Sequence, residues 1–150
     1  MKTIRNETER RALIERINKL NGDEKAVWGK MNVNQMVSHL VQAGDLPFEA
    51  SVADRSNFMS RTLIKPLILY VLPIPKDVKT SPEMNQQENG RKPQDFSVDK
   101  DILVDAINKL GMLPLDRKCF DHPFFGNMSA NQWAIMAHKH IDHHLKQFGV

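Results

Sequence analysis

Four of the six histidines lie within seven residues near the end of the chain: His138, His140, His143 and His144. Successive residues of an α-helix are about 100° apart, so His140 and His144 share the apolar stripe of this segment and face the core. Two imidazoles at i and i+4 lie one above the other and can bind the same metal ion, with bonds of roughly 2.0 to 2.1 Å. The spacing predicts either a bidentate metal site or, as is more common for an isolated pair, two core histidines with other polar partners.

The other two histidines of this window are expected to point elsewhere. His138 falls on the polar back of the helix with Asp142 and Lys146, which are spaced for an i,i+4 ion pair, so we expect His138 to be solvated. His143 lies at the margin of the apolar stripe. From there it either reaches the mouth of the site or covers the packed core.

A third imidazole, His39, lies on an earlier amphipathic segment. It is near the edge of the apolar face formed by Met36, Leu40 and Ala43. Alone it would be read as a partly buried histidine. Three imidazoles directed at one core each need a polar partner, however, and a single metal ion would satisfy all three.

Three neutral nitrogen ligands would leave the remaining coordination positions to water or substrate, as in catalytic metal sites. Zinc, nickel, iron and manganese are all admissible, because imidazole discriminates weakly among them. The general-base glutamate of the HExxH protease motif is missing, since Ile141 follows the first histidine of the pair. The sequence therefore disfavours a metalloprotease and identifies no catalytic acid or base.

Four further residues are candidates for lining a pocket at this site: Met36, Trp133, His143 and Gln147. Gln147 lies near the histidine face and could hydrogen-bond a metal-bound water, although a plain polar residue at the helix end is an equal alternative. Trp133 is either a core aromatic or a wall of the pocket. Met36 would close the site against solvent.

Apolar periodicity predicts five helices and no sheet, because no segment alternates apolar and polar residues. Asn32 with Gln35, and Ser129 with Gln132, have the spacing of a capping box at the start of the two histidine helices. The expected fold is an all-α bundle in one domain, residues 1–150. The predicted helices span residues 7–20, 32–46, 56–72, 98–112 and 129–148.

Two segments of this fold are less regular. The third helix has Ser56 as its expected cap and a kink or break at Pro66, and its apolar run over residues 63–72 is expected to be buried in the core. Residues 73–96 are rich in Pro, Asn, Gln and charge, which predicts a long polar loop acting as a mobile lid or an edge segment.

The composition restricts the partners and the compartment. The net charge of +3 is spread among carboxylates, so nucleic acid is disfavoured, and no apolar run reaches the roughly 20 residues needed to cross a bilayer. The first residues are charged and contain no secretory signal pattern. One cysteine excludes an internal disulfide. We therefore expect a cytoplasmic protein.

Three stretches of the sequence together resemble the DinB superfamily of four-helix-bundle proteins: NVNQMVSHLVQAG, HPFFGNMS and QWAIMAHKHIDHHLKQFG. The resemblance covers nearly the whole chain and is strongest to a branch known mainly as a domain of unknown function. The superfamily includes YfiT-like metal-dependent hydrolases and thiol-dependent transferases. Its metal is held by one histidine of an early helix and an i,i+4 pair of the last, which correspond to His39, His140 and His144.

The resemblance implies an up-down four-helix bundle, here with an additional short helix and a long polar loop. It also implies a divalent metal and, in members of known activity, a low-molecular-weight thiol such as bacillithiol, mycothiol or glutathione. The leading hypothesis is a hydrolase or thiol S-transferase acting on a small molecule.

Two alternatives and one question of assembly stay open. The first alternative is a non-catalytic binding or stress protein whose histidines bind metal incidentally or form a buried polar cluster. The second is a protein that uses residues 56–75 on a membrane surface or a partner. A homodimer is compatible with each of these.

Overall fold

A computed structural model describes all 150 residues, and it contains five α-helices and no strand. A π-helical turn, Ser60–Ile64, runs directly into the short third helix. The all-helical prediction is confirmed, and none of the helices has the length and apolar character needed to cross a bilayer. The helices are α1 Glu7–Lys19, α2 Val33–Asp45, α3 Lys65–Tyr70, α4 Phe96–Gly111 and α5 Ala130–Gln147.

The two helices that carry the candidate ligands, α2 and α5, begin at capping boxes. The Asn32 side chain accepts from the Gln35 backbone N–H at 2.9 Å, and the Gln35 side chain accepts from the Asn32 N–H at 3.0 Å. Ser129 and Gln132 make the same exchange at the start of α5. Each box satisfies two backbone donors that a helix start would otherwise leave without partners. Both predicted starts are confirmed.

Two other helix starts differ from the prediction. Helix α4 begins two residues earlier than expected, because Asp95 at the end of the polar loop accepts from the N–H groups of Ser97 and Val98. Asn57, and not Ser56, caps the helical segment that begins at residue 58 and continues into the π-helical turn, by accepting from the Ser60 N–H at 3.0 Å. Asp and Asn are as common in loops as at caps, so the sequence alone did not separate the two roles.

A wider, π-helical turn lies just before Pro66, where the sequence predicts a kink or break. Proline has no N–H to donate to the carbonyl four residues back, and its ring crowds that carbonyl. Here the chain widens just before it: the N–H of Lys65 donates to the Ser60 carbonyl, five residues back. The helix therefore continues through Pro66 as far as Tyr70.

The long helices share one core. Helix α5 packs against α1, α2 and α4, and α2 also packs against α4. The core includes Ile17 of α1, Val37 of α2, Ile107 of α4 and Leu145 of α5. The contact between α2 and α5 brings His39 to the last helix.

The expectation that residues 63–72 are buried is wrong. Only Leu69 of this run is fully buried, while Leu63, Val71 and others are exposed. The reason is that α3 packs against α5 and against no other long helix, so one side of it has no protein neighbour.

Candidate metal centre

Three imidazole nitrogens converge where α2 meets α5. The Nε2 atom of His140 lies 3.2 Å from Nε2 of His39 and 3.0 Å from Nε2 of His144. One nitrogen of each ring lies within 4.8 Å of the other two. The structure thus brings together the three residues that the sequence selected as ligands.

The second nitrogen of two of these rings faces an acceptor. Nδ1 of His39 is 3.2 Å from the Met84 carbonyl, and Nδ1 of His144 is 2.8 Å from Oε1 of Gln147. Each Nδ1 must therefore carry the proton and donate it. The Nε2 atoms of His39 and His144 are then unprotonated, and their lone pairs point at His140.

This arrangement leaves a lone pair without a partner. Nε2 of His140 can carry at most one proton, so it can donate to only one of its two neighbours. Two metal–nitrogen bonds of roughly 2.05 Å place their nitrogens about 2.9 Å apart at a right angle and about 3.3 Å apart at a tetrahedral angle. The observed separations of 3.0 and 3.2 Å fall in that interval. The donor set fits a divalent ion better than it fits hydrogen bonding alone.

The surroundings keep the three rings neutral. Burial lowers the pKa of His39 to about 4, although the Met84 carbonyl acts in the opposite direction. Burial, together with the neighbouring His39, lowers the pKa of His144 to about 3. Burial and the adjacent imidazoles hold the pKa of His140 well below its usual value. Near neutral pH all three rings are therefore free to act as ligands.

Gln147 orients His144 and is itself held in place. While its Oε1 accepts from His144, its Nε2 donates to the Trp28 carbonyl at 2.8 Å. The loop that supplies this carbonyl needs a glycine next to it: Gly29 has φ +80°, and a Cβ there would lie 2.5 Å from Nε2 of Gln147. Gln147 thus acts on the ring of a candidate ligand, as outer-shell partners of metal-binding histidines do.

The other expected pocket residues differ in their burial and contacts. Met36 is fully buried one turn before His39. His143 is half-buried, with its ring 5.2 Å from that of His144 and edge-on to Trp28 at 5.7 Å. Trp133 packs against His122, with ring centroids 5.1 Å apart, and its indole N–H donates to the Phe120 carbonyl.

The expectation that His138 is solvated is wrong. It is 4% exposed, and its Nε2 lies 3.4 Å from a carboxylate oxygen of Glu9 on α1. The predicted Asp142–Lys146 pair is present at 2.7 Å, but Asp142 also binds Arg16 of α1 at 2.7 Å. The back of α5 is polar and is nevertheless covered by another helix.

The long loop supplies a site residue that the sequence did not identify. Met84, buried within residues 73–96, places its backbone carbonyl against His39. Burial lowers the pKa of His143, although a backbone hydrogen bond at Ile74, earlier in the loop, acts in the opposite direction. In the sequence, only the presence of an apolar residue, Met84, in a polar segment could have indicated this contact. Every residue has a backbone carbonyl, so the residue type does not identify the one that binds His39.

His122 stabilises the turn before α5. Its Nδ1 accepts from the backbone N–H groups of Phe124 and Phe125 at 3.1 and 3.2 Å. Burial lowers its pKa to about 4, so the ring is neutral and can accept. The turn fixes where α5 begins, and the start of α5 sets the register of the histidine pair.

Comparison with known proteins gives one match. A family model described as "Protein of unknown function (DUF1569)" matches residues 6–149. No curated protein and no solved structure matches the chain.

Proposed function

The chain belongs to the DUF1569 family of unknown function, and we propose that it is a metal-dependent enzyme with one divalent transition-metal ion held by His39, His140 and His144. The observation that carries the proposal is the convergence of three Nε2 atoms with only one proton available to be shared at their centre. A buried polar group without a partner is costly.

The fixed orientation of the His39 and His144 rings supports a metal-binding site. Both His39 and His144 present Nε2 inward because their Nδ1 atoms are engaged by Met84 and Gln147. In a buried histidine cluster that binds no metal ion, directing several lone pairs at one point would not stabilise the fold.

The class of reaction rests on the donor set and on the resemblance to the DinB superfamily. A divalent ion with three neutral ligands would supply a Lewis-acid centre able to lower the pKa of a bound water or thiol. The residues of this chain would position that ion and keep its ligands neutral. We therefore favour hydrolysis or transfer of a low-molecular-weight thiol, with a small electrophile as substrate.

The partial exposure of His140 suggests the side from which a substrate would reach the centre. His39 and His144 are buried, whereas His140 retains partial exposure. A small molecule would approach on the side of His140, with the half-buried His143 as a neighbour along α5. Zinc, nickel, iron and manganese are all compatible with three imidazoles.

A second candidate is a non-catalytic protein with the same cluster. It is favoured by the burial of His39 and His144, the first of which contacts the Met84 carbonyl in residues 73–96. In that case metal binding would occur without turnover.

The first experiment measures the metal content of protein purified without a histidine tag. We expect about one equivalent of transition metal, lost in the His140→Ala/His144→Ala variant and retained in His143→Ala, a matched control on the same helix. Cobalt substitution would report the coordination geometry in the visible spectrum. Wild-type protein that takes up no metal even when supplied with zinc, nickel and manganese would overturn the proposal.

Activity screens separate the two candidates once metal is established. Hydrolysis of small esters and amides, and thiol transfer with glutathione, bacillithiol or mycothiol, would be assayed on metal-loaded wild type and on His140→Ala/His144→Ala. Turnover that requires the histidines supports the enzyme. Stoichiometric metal without turnover on any of these substrates supports the non-catalytic protein.

A further inference from the structure

An exposed apolar surface occupies the region around the π-helical turn and α3. Seven of the sixteen exposed large apolar side chains lie in the fifteen residues 58–72, with exposures from 38% at Leu67 to 81% at Phe58. Isolated exposed apolar residues are ordinary, but a contiguous group marks an interaction surface. The group is Phe58, Met59, Leu63, Leu67, Tyr70, Val71 and Leu72.

Four members of this group form a stripe. Met59, Leu63, Leu67 and Val71 are four residues apart, so they follow one side of the helix. The opposite side faces the protein, where Leu69 is fully buried. The segment is therefore amphipathic, with its apolar side turned outward.

The outward orientation is fixed by contacts on the inner side. The ammonium group of Lys139 on α5 donates to the carbonyls of Ile68 and Leu72 at the end of α3. A cation at a helix C-terminus is favourable because of the helix dipole. Gln132 of α5 also donates to the Tyr70 hydroxyl at 3.3 Å. The apolar stripe is thus presented by a helix that is anchored to the body of the protein.

The stretch of chain that carries the stripe is basic. Residues 56–80 contain four basic side chains and one acid, Asp77, giving a net charge of +3, equal to that of the whole chain. Arg61 is paired with Asp54, Lys65 donates to the Asn127 carbonyl, Lys76 lies over the Trp28 ring at 4.2 Å, and Lys79 is exposed. An apolar stripe with basic neighbours is typical of segments that lie in the interface of a bilayer.

We propose that residues 58–72 dock the protein on the surface of a bilayer that contains anionic phospholipid. The stripe enters the boundary between headgroups and acyl chains, and exposed basic side chains of residues 56–80 bind the phosphates. The charge favours this occupant over a second copy of the chain, because a symmetric pair would bring two basic segments together. The proposal is independent of the metal centre.

The test is flotation of the untagged protein with vesicles of phosphatidylcholine, alone or mixed with phosphatidylglycerol. We expect the protein to float with the mixed vesicles, to remain behind with phosphatidylcholine alone, and to dissociate as salt is raised. Lys79→Gln should weaken partitioning about fivefold, the contribution of one basic residue near the surface. His140→Ala/His144→Ala should float like wild type.

A matched pair of variants tests the stripe. Leu63→Ser/Val71→Ser should weaken partitioning by roughly tenfold or more. Met112→Ser/Leu115→Ser removes apolar groups that are 67% and 66% exposed outside the segment, and it should float like wild type. Circular dichroism checks that both variants retain helix.

Three outcomes would overturn the proposal. One is wild-type protein that stays behind with phosphatidylglycerol vesicles at low salt. Another is an equal loss of flotation in the Met112→Ser/Leu115→Ser control. The third is a wild-type protein that forms a dimer in solution and does not bind the vesicles, together with loss of the dimer in Leu63→Ser/Val71→Ser. That result would assign the surface to a second copy of the chain.

Discussion

His138 and His144 are both buried on α5, six residues apart, and their side chains have different polar partners. His144 faces two other imidazoles and an amide, whereas His138 faces the carboxylate of Glu9. The difference arises from the neighbouring helix: α2 contributes a histidine on one side, and α1 contributes an acid on the other. Burial of an imidazole is therefore not a signal for a metal, and the partner decides its role.

The largest expected effect contrasts these two residues directly. His144→Ala should reduce metal content to background, because it removes a ligand and leaves the other rings without a common centre. His138→Ala should keep about one equivalent of metal and lose roughly 1 to 3 kcal/mol of unfolding free energy, because it removes a buried ring and the packing around it. Elemental analysis and urea unfolding measure both. Loss of metal from His138→Ala alone would contradict this division.

The second prediction concerns pH and uses metal-free protein. The folded pKa values of His39 and His144, about 4 and about 3, lie below the ordinary 6.5. Between these values the unfolded chain binds protons that the folded chain does not. Stability is thus full above pH ~6.5 and falls as the pH is lowered toward ~4. Urea midpoints that stay constant or rise on acidification would contradict the neutral cluster.

The third prediction concerns the orientation of His144. Gln147→Leu removes the acceptor for Nδ1 and should weaken metal binding by about 10- to 100-fold, as expected for outer-shell partners. Gln147→Glu retains an acceptor but cannot donate to the Trp28 carbonyl, so it should bind more tightly than Gln147→Leu. Competition with a chromophoric chelator gives both affinities. Equal affinity in wild type and Gln147→Leu would show that the hydrogen bond has no influence on the metal.

The smallest expected effect is at Gly29. An added Cβ would press on Gln147, and φ of +80° is unfavourable for alanine, so Gly29→Ala should weaken metal binding several-fold and cost about 1 kcal/mol or more. Gly149→Ala is the matched control: its φ is +75°, but nothing lies within 4 Å of an added Cβ. The control should share the backbone strain and keep the metal affinity of wild type. Equal affinities in the two variants would contradict a role for Gly29 in placing Gln147.

Much of the helical framework could be predicted, because the sequence features that indicate a helix lie close together in the chain. The capping boxes at Asn32 and Ser129 are made within three residues, and both helix starts are confirmed. The i,i+4 spacing of His140 and His144 follows from helix geometry alone. The start of α4 was less accurate because its cap, Asp95, stands at the end of a polar loop where such residues are common.

The sequence by itself determined the helices, the chemistry of the three imidazoles and the side of α5 on which two of them lie. Only the tertiary structure decided that α1 covers His138, that α3 leaves its apolar stripe exposed, and that the Met84 carbonyl meets His39. Helical periodicity shows which side of a helix is apolar. It contains no information about how many neighbours that helix acquires, because those contacts join residues far apart in the chain.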